Sequence, residues 1–126
     1  MLKVVAIDAN AISRRLLTSV LINGGHNVIG DSNTSSAGLA SMIKLQPQLV
    51  CIDIGATDAE GFAKLDAIRT GVPKALIFLV SDKMEPTVIQ EALARGVHGF
   101  IVKPFNPESV LANIRKTILK VAHQHR

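Results

Sequence analysis

With 126 residues, 48% hydrophobic content, 19% charged residues and a net charge of +4, the chain has the make-up of one globular domain that buries its own core. That excludes disordered and collagen-like classes and removes the need for a disulfide or structural metal. The single cysteine, Cys51, sits inside the apolar run LVCID, so it reads as a small buried hydrophobe in a reducing, cytoplasmic protein.

The first strand is expected over Leu2–Ile7 and delivers Asp8 into a turn, with Ala9 beside it. A helix follows over Ala11–Asn23, with apolar residues at Ile12, Leu16, Leu17, Val20 and Leu21, and Gly24-Gly25 closes it. Asn27–Gly30 reads as the second strand and Ser35–Leu45 as the second helix. The segment QPQ then separates that helix from a third strand, Leu49–Ile52, which ends in Asp53. A third helix is expected over Gly61–Thr70 before Gly71, and a fourth strand over Ala75–Val80 that ends in Ser81. Glu85–Arg95 is the fourth helix, closed by Gly96. The fifth strand, Gly99–Val102, runs into Lys103-Pro104. Asn106-Pro107-Glu108 then supplies the cap, first-turn proline and acid that open a last helix over Pro107–His123, whose apolar face carries Val110, Leu111, Ile114 and Ile118.

Most of these strands are apolar throughout instead of alternating, the pattern of strands covered on both faces in a parallel sheet. Strands alternating with helices, joined by right-handed crossovers, make an α/β, doubly wound parallel sheet with five helices over residues 1–126 as one domain, and the expected arrangement is the common flavodoxin-like five-strand order 2-1-3-4-5. Ligands in such sheets bind beyond the carboxyl ends of the strands. Asp8, Asp53, Ser81 and Lys103 are therefore expected to meet in one crevice.

No apolar run approaches a membrane-spanning length, and MLKVVAID enters a strand without signal-peptide features, so no membrane role is expected. The cations are scattered or gathered in IRKTILKVAHQHR, at the helix end that favours them. The chain lacks Tyr and Trp, so this segment is expected to have no direct nucleic-acid partner. His26, His98, His123 and His125 share no spacing that suggests a metal site.

AIDAN after strand one, CIDIGATDAEG after strand three, LVSD after strand four and GFIVKPF across strand five together resemble the receiver domain of two-component response regulators, of the single-domain chemotaxis type, over Val4 to Ala122. The resemblance implies that Asp53 is the phosphoacceptor and that Lys103 and Ser81 assist at the transferred group. It also implies that Ser81 and Phe100 form the switch, and that Asp8, Asp53 and the Gly55 carbonyl hold Mg²⁺. It implies a sensor histidine kinase or phosphotransfer protein as donor and a downstream protein target on the face of helix four, strand five and helix five, with a homodimer as a further candidate. Enzyme activity is expected to be limited to self-phosphorylation from a phosphodonor and self-dephosphorylation. No helix-turn-helix or catalytic segment follows the last helix, so a single-domain regulator or a receiver cut from a longer protein is expected.

The residue chemistry agrees. A carboxylate attacking phosphorus needs positioning and charge neutralisation, which an ammonium, a hydroxyl, loop N–H groups and a divalent cation provide. Three departures from the family pattern weaken the expected metal site and phosphorylation. Ala9 replaces the second of two adjacent acids, Thr57 stands where proline is usual, and Asp82 follows Ser81 where a small residue is usual. Asp58 or Asp82 could in principle replace the missing carboxylate. Asp8 and Asp53 also suit simple capping roles. A degenerate pseudo-receiver that binds partners without phosphorylation is therefore the alternative. A flavin or nucleotide protein ranks behind both, since DANAISRR lacks a glycine-rich phosphate loop.

Overall fold

The computed structural model describes residues 2–124; His125 lies outside them. The elements run β1 (Lys3–Ile7), α1 (Ala11–Asn23), β2 (Asn27–Ser32), α2 (Ser36–Lys44), β3 (Leu49–Ile52), α3 (Ala59–Gly71), β4 (Leu76–Ser81), α4 (Pro86–Ala94), β5 (Gly99–Val102) and α5 (Pro107–Gln124). The five strands form one sheet in the order β2-β1-β3-β4-β5, every neighbouring pair parallel.

β3 and most of β1, β4 and β5 are apolar because successive side chains serve two different cores, whereas the edge strand β2 carries Asn27, Asp31 and Ser32. On one face Val5, Ile7, Val50, Ile52, Ile77 and Leu79 pack under α2, α3 and α4, through Leu39, Met42, Phe62, Leu65, Ile68, Val88 and Ala92. On the other, Val4, Ala6, Leu49, Cys51, Phe78, Val80 and Ile101 meet Leu17 and Leu21 of α1 and Val110 and Ile114 of α5. Cys51 is fully buried, and burial pushes its thiol up to about 12, which keeps it an unreactive apolar filler at neutral pH.

The structure moves several expected boundaries for local reasons. β2 continues two residues past Gly30, because Asp31 and Ser32 stay in register with Ala6 and Ile7 although their side chains are polar. α3 starts at Ala59, ahead of Gly61, because Asp58 caps it by accepting the Gly61 N–H at 2.9 Å. Asn106 caps α5, its side chain accepting the Ser109 N–H at 3.0 Å. In α1 only Leu17 and Leu21 are buried, whereas Ile12 is 75% and Leu16 56% exposed. A step of roughly 100° per residue turns Leu16 away from the Leu17–Leu21 stripe that faces the sheet.

Opposite the carboxyl edge, Arg69 gathers loose carbonyls. Its guanidinium donates to the carbonyls of Val72 (2.9 Å), Pro73 (2.6 Å), Ala75 (2.8 Å) and Gly96 (3.1 Å), tying the end of α3 to the turn after α4. Nearby, His98 accepts the Ile77 N–H on Nδ1 at 3.2 Å, while its own backbone N–H donates to Ile77 O at 2.8 Å. Burial, reinforced by the Arg69 charge, holds the His98 imidazole below its ordinary value.

The unfolded chain thus takes up the His98 proton more readily than the folded one. This site therefore costs no stability above the ordinary histidine pKa of about 6.5 and lowers stability progressively as pH falls from there through the depressed folded value. His98→Asn keeps an acceptor for Ile77 but cannot titrate. Denaturant melts between roughly pH 7 and 5 should show a shallower loss of stability for His98→Asn than for wild type. Identical slopes would show that His98 titrates alike in both states.

Candidate functional site

Three strand ends build the crevice. After β1, the Asp8 N–H donates to Ser32 O at 3.0 Å, which fixes the backbone where the carboxylate leaves the sheet. Asp8 is only 5% exposed. Its Oδ1 accepts the Asn10 N–H at 2.9 Å and its Oδ2 accepts from Lys103 Nζ at 2.8 Å. Asp8 does not cap α1; that role belongs to Asn10, which accepts the N–H groups of Ile12 and Ser13, each at 3.0 Å.

After β3, the Asp53 N–H donates to Ile7 O at 2.9 Å, so the turn is anchored on β1. Asp53 Oδ1 accepts the Gly55 N–H at 2.8 Å. Gly55 has φ +76, a left-handed conformation that glycine adopts without strain and that folds the turn back over the carboxylate. Asp53 Oδ2 lies 2.7 Å from Lys103 Nζ.

Lys103 follows β5, its N–H donating to Ser81 O at 3.0 Å, and its peptide bond to Pro104 is cis. Burial alone would pull the ammonium below the ordinary lysine value. The hydrogen bonds and charges of Asp53 and Asp8 outweigh that effect and hold it above. Two carboxylates and one ammonium leave a formal surplus of one negative charge in the crevice.

The structure thus brings Asp8, Asp53 and Lys103 together and sets Ser81 at the neighbouring strand end. Ser81 Oγ is engaged within its own turn, accepting the Lys83 N–H at 3.0 Å and donating to Lys83 O at 3.2 Å. Phe100 is partly buried against the α2–α4 side of the sheet. It lines a hollow of about 370 Å³ with Met84, Ile89, Val102, Asn113 and Lys116, between α4, β5 and α5. Ala9 and Asp82 are exposed.

Arg14 has a place here that sequence reasoning missed. It donates from Nη1 to Asp8 O at 2.7 Å and from Nε to Asp31 at 2.9 Å, pinning α1, β1 and β2 beside the crevice. Its signal in the sequence was faint: an arginine one and a half turns past Asp8, with an acid at the end of an edge strand.

Oxygen donors of this kind suit a hard divalent cation, since Mg²⁺ commonly takes one or two carboxylates and keeps several waters. Asp8, Asp53 and the Gly55 carbonyl are the residues that would hold it. Yet all four carboxylate oxygens already have partners, so such a cation must share them with Lys103. Neither candidate replacement for the acid absent at Ala9 joins the cluster. Asp58 is committed to its cap, and among the described residues no group of three or more His, Cys, Asp or Glu side chains could hold a metal.

A doubly wound parallel sheet with paired acids and a lysine at its carboxyl edge defines a receiver-type α/β domain. The model of the response regulator receiver domain matches residues 4–115, and the chain belongs to that family. It is 26% identical over 116 residues to the chemotaxis protein CheY of Bacillus subtilis, spanning 92% of this chain and 97% of that one. With CheY of Thermotoga maritima it shares 27% over 114 residues, 90% of this chain and 95% of that one. Among solved structures, CheY4 of Vibrio cholerae superposes with a TM-score of 0.72 at 27% identity, over 98% of both chains. NtrX of Brucella abortus superposes at 0.81 over 98% of this chain and 28% of that one, at 22% identity, a likeness of fold.

Removing the shared cation leaves two carboxylates facing each other. Lys103→Met should therefore lower folding stability by about 2 kcal/mol in metal-free buffer, short of the full cost of breaking a deeply buried pair because both acids retain an N–H donor. Millimolar Mg²⁺ should recover part of that loss. Denaturant melts with and without Mg²⁺ check both, and an unchanged midpoint in the variant would mean that Lys103 contributes nothing to neutralising the pair.

Proposed function

We propose that this receiver accepts a phosphoryl group on Asp53 from a sensor histidine kinase or phosphotransfer protein and converts that event into a change of its protein-binding face. The observation that carries the reading is the 2.7 Å contact between Lys103 Nζ and Asp53 Oδ2, which puts a cation where charge on the transferred group must be neutralised. In the reaction the Asp53 carboxylate forms a bond to phosphorus while the donor's phosphorus–nitrogen bond breaks. The donor nitrogen keeps that electron pair and later takes a proton. Lys103 then exchanges its Asp53 contact for a phosphoryl oxygen while retaining Asp8. Ser81 leaves Lys83 to donate to the same group, and Phe100 moves with it.

Ile12 and Leu16, exposed on α1 close to the Asp8 turn, suit the donor protein. Leu93 and Val102, 52% and 53% exposed, suit a downstream partner or a second copy of the chain on the face of α4, β5 and α5. No helix among the described residues is long and apolar enough to cross a membrane, and a cytoplasmic location accords with the free Cys51. Asp8, Asp53 and the Gly55 carbonyl would hold Mg²⁺ weakly, where it would help neutralise charge on the transferred group. Self-phosphorylation and self-dephosphorylation are the chain's only chemistry, and residues 1–126 act as one domain.

One observation favours a second reading, in which the chain is a pseudo-receiver that binds partners without phosphorylation. With Ala9 in place of an acid, Lys103 pairs with both remaining carboxylates, so a divalent cation would have to displace it from them.

Intact-mass measurement after incubation with a small phosphodonor and Mg²⁺ separates the two. Phosphorylation predicts one added phosphoryl group, absent in Asp53→Asn. An unmodified wild-type chain under conditions that modify Ala9→Asp would select the pseudo-receiver. In either case Ala9→Asp should bind Mg²⁺ about tenfold or more tightly than wild type, given roughly 4 kcal/mol for a unit charge pair about 4 Å apart at an effective dielectric near 20, discounted for water already filling the position. Calorimetric titration measures it, and equal affinities would show that the acid at this position adds nothing.

A further inference from the structure

α4 has no side-chain cap at its start, where Glu85 is the N-cap residue. It is nine residues long and buries Val88 and Ala92. Beside it lies an open hollow of about 400 Å³, bordered by Thr57 and Phe62 on one side and by Thr87, Val88, Gln90 and Glu91 of α4 on the other. α4 therefore has room to shift over α3.

One side chain spans that junction. Arg95, the C-cap of α4, places one guanidinium nitrogen on Asp66 of α3 and another on Glu91 of α4 at 3.0 Å. Its Cζ lies 4.9 Å from the centroid of the Phe62 ring on α3. Each link is weak alone, because Asp66 and Glu91 are about half exposed and such pairs are screened. Three of them act on one rigid planar group, however, and two reach the same neighbouring helix. Arg95 Nε is buried without a hydrogen-bond partner, so opening this contact returns a stranded N–H to water. That lowers the cost of release and suits a contact made and broken repeatedly.

We propose that Arg95 is a latch that holds α4 against α3, and that its release lets α4 move locally while the sheet stays folded. The latch stands on these contacts alone; its consequence for the face of α4, β5 and α5 rests on the switching function proposed above.

Hydrogen–deuterium exchange on the intact chain, without phosphodonor or partner, tests it. In Arg95→Gln, which keeps most of the stem and loses the charge, amides of α4 should exchange about fivefold faster than in wild type. In Asp66→Asn, which leaves Arg95 and Glu91 untouched, they should exchange about twofold faster. In both variants amides of β1 and β3 should be unchanged. Unaltered α4 exchange in Arg95→Gln would overturn the latch, and so would equal acceleration of α4, β1 and β3, the mark of general destabilisation. Because no phosphorylation enters the measurement, its failure is distinct from failure of the Asp53 assignment.

Discussion

Lys103 Nζ lies 2.8 Å from Asp8 and 2.7 Å from Asp53, and the carboxyl edge of the sheet is organised around that double contact. Two carboxylates at neighbouring strand ends repel each other, and an ammonium from the turn after β5 reaches both and offsets that repulsion. The order β2-β1-β3-β4-β5 is what makes this possible. It sets β1 and β3 side by side at the point where winding reverses, and the turn after β5 carries the lysine back to them. The remaining contacts keep the two acids in place: Asn10 and Gly55 donate their N–H groups to Asp8 and Asp53, and Arg14 holds the Asp8 carbonyl.

Ala9 changes how that arrangement works. A second acid beside Asp8 would raise the formal surplus of the crevice from one negative charge to two and would draw a divalent cation more strongly. Here the formal surplus is a single charge, shared over oxygens that each already have a donor. A divalent cation at these oxygens would therefore compete with Lys103.

The fold was legible because four of the five strand runs are almost wholly apolar and end in chemically distinct residues. Val4 to Ile7 and Leu49 to Ile52 could belong only to strands buried on both faces, and Asp8, Asp53, Ser81 and Lys103 then marked one edge. What could not be read depended on rotation and on long-range partners. Leu16 and Leu17 are equivalent in a periodicity count, yet only Leu17 faces the sheet. Asp31 reads as a loop residue until its pairing with Ala6 is known. Asp58 reads as a possible metal ligand until its cap to Gly61 is seen. Arg14, Arg69 and Arg95 looked like surface charge. Their anchoring partners on other elements, Asp31 for Arg14, Gly96 for Arg69 and Asp66 for Arg95, lie 17 to 29 positions away in sequence, beyond the reach of local pattern.

The ammonium of Lys103 can be observed directly. Its Nζ resonance, followed by NMR through alkaline pH, should titrate above the ordinary lysine range, and the midpoint should fall when either Asp8 or Asp53 is replaced by asparagine, because each carboxylate stabilises the charged form separately. A midpoint at or below the ordinary range, or one that moves with only one of the two replacements, would contradict a lysine that neutralises both acids at once.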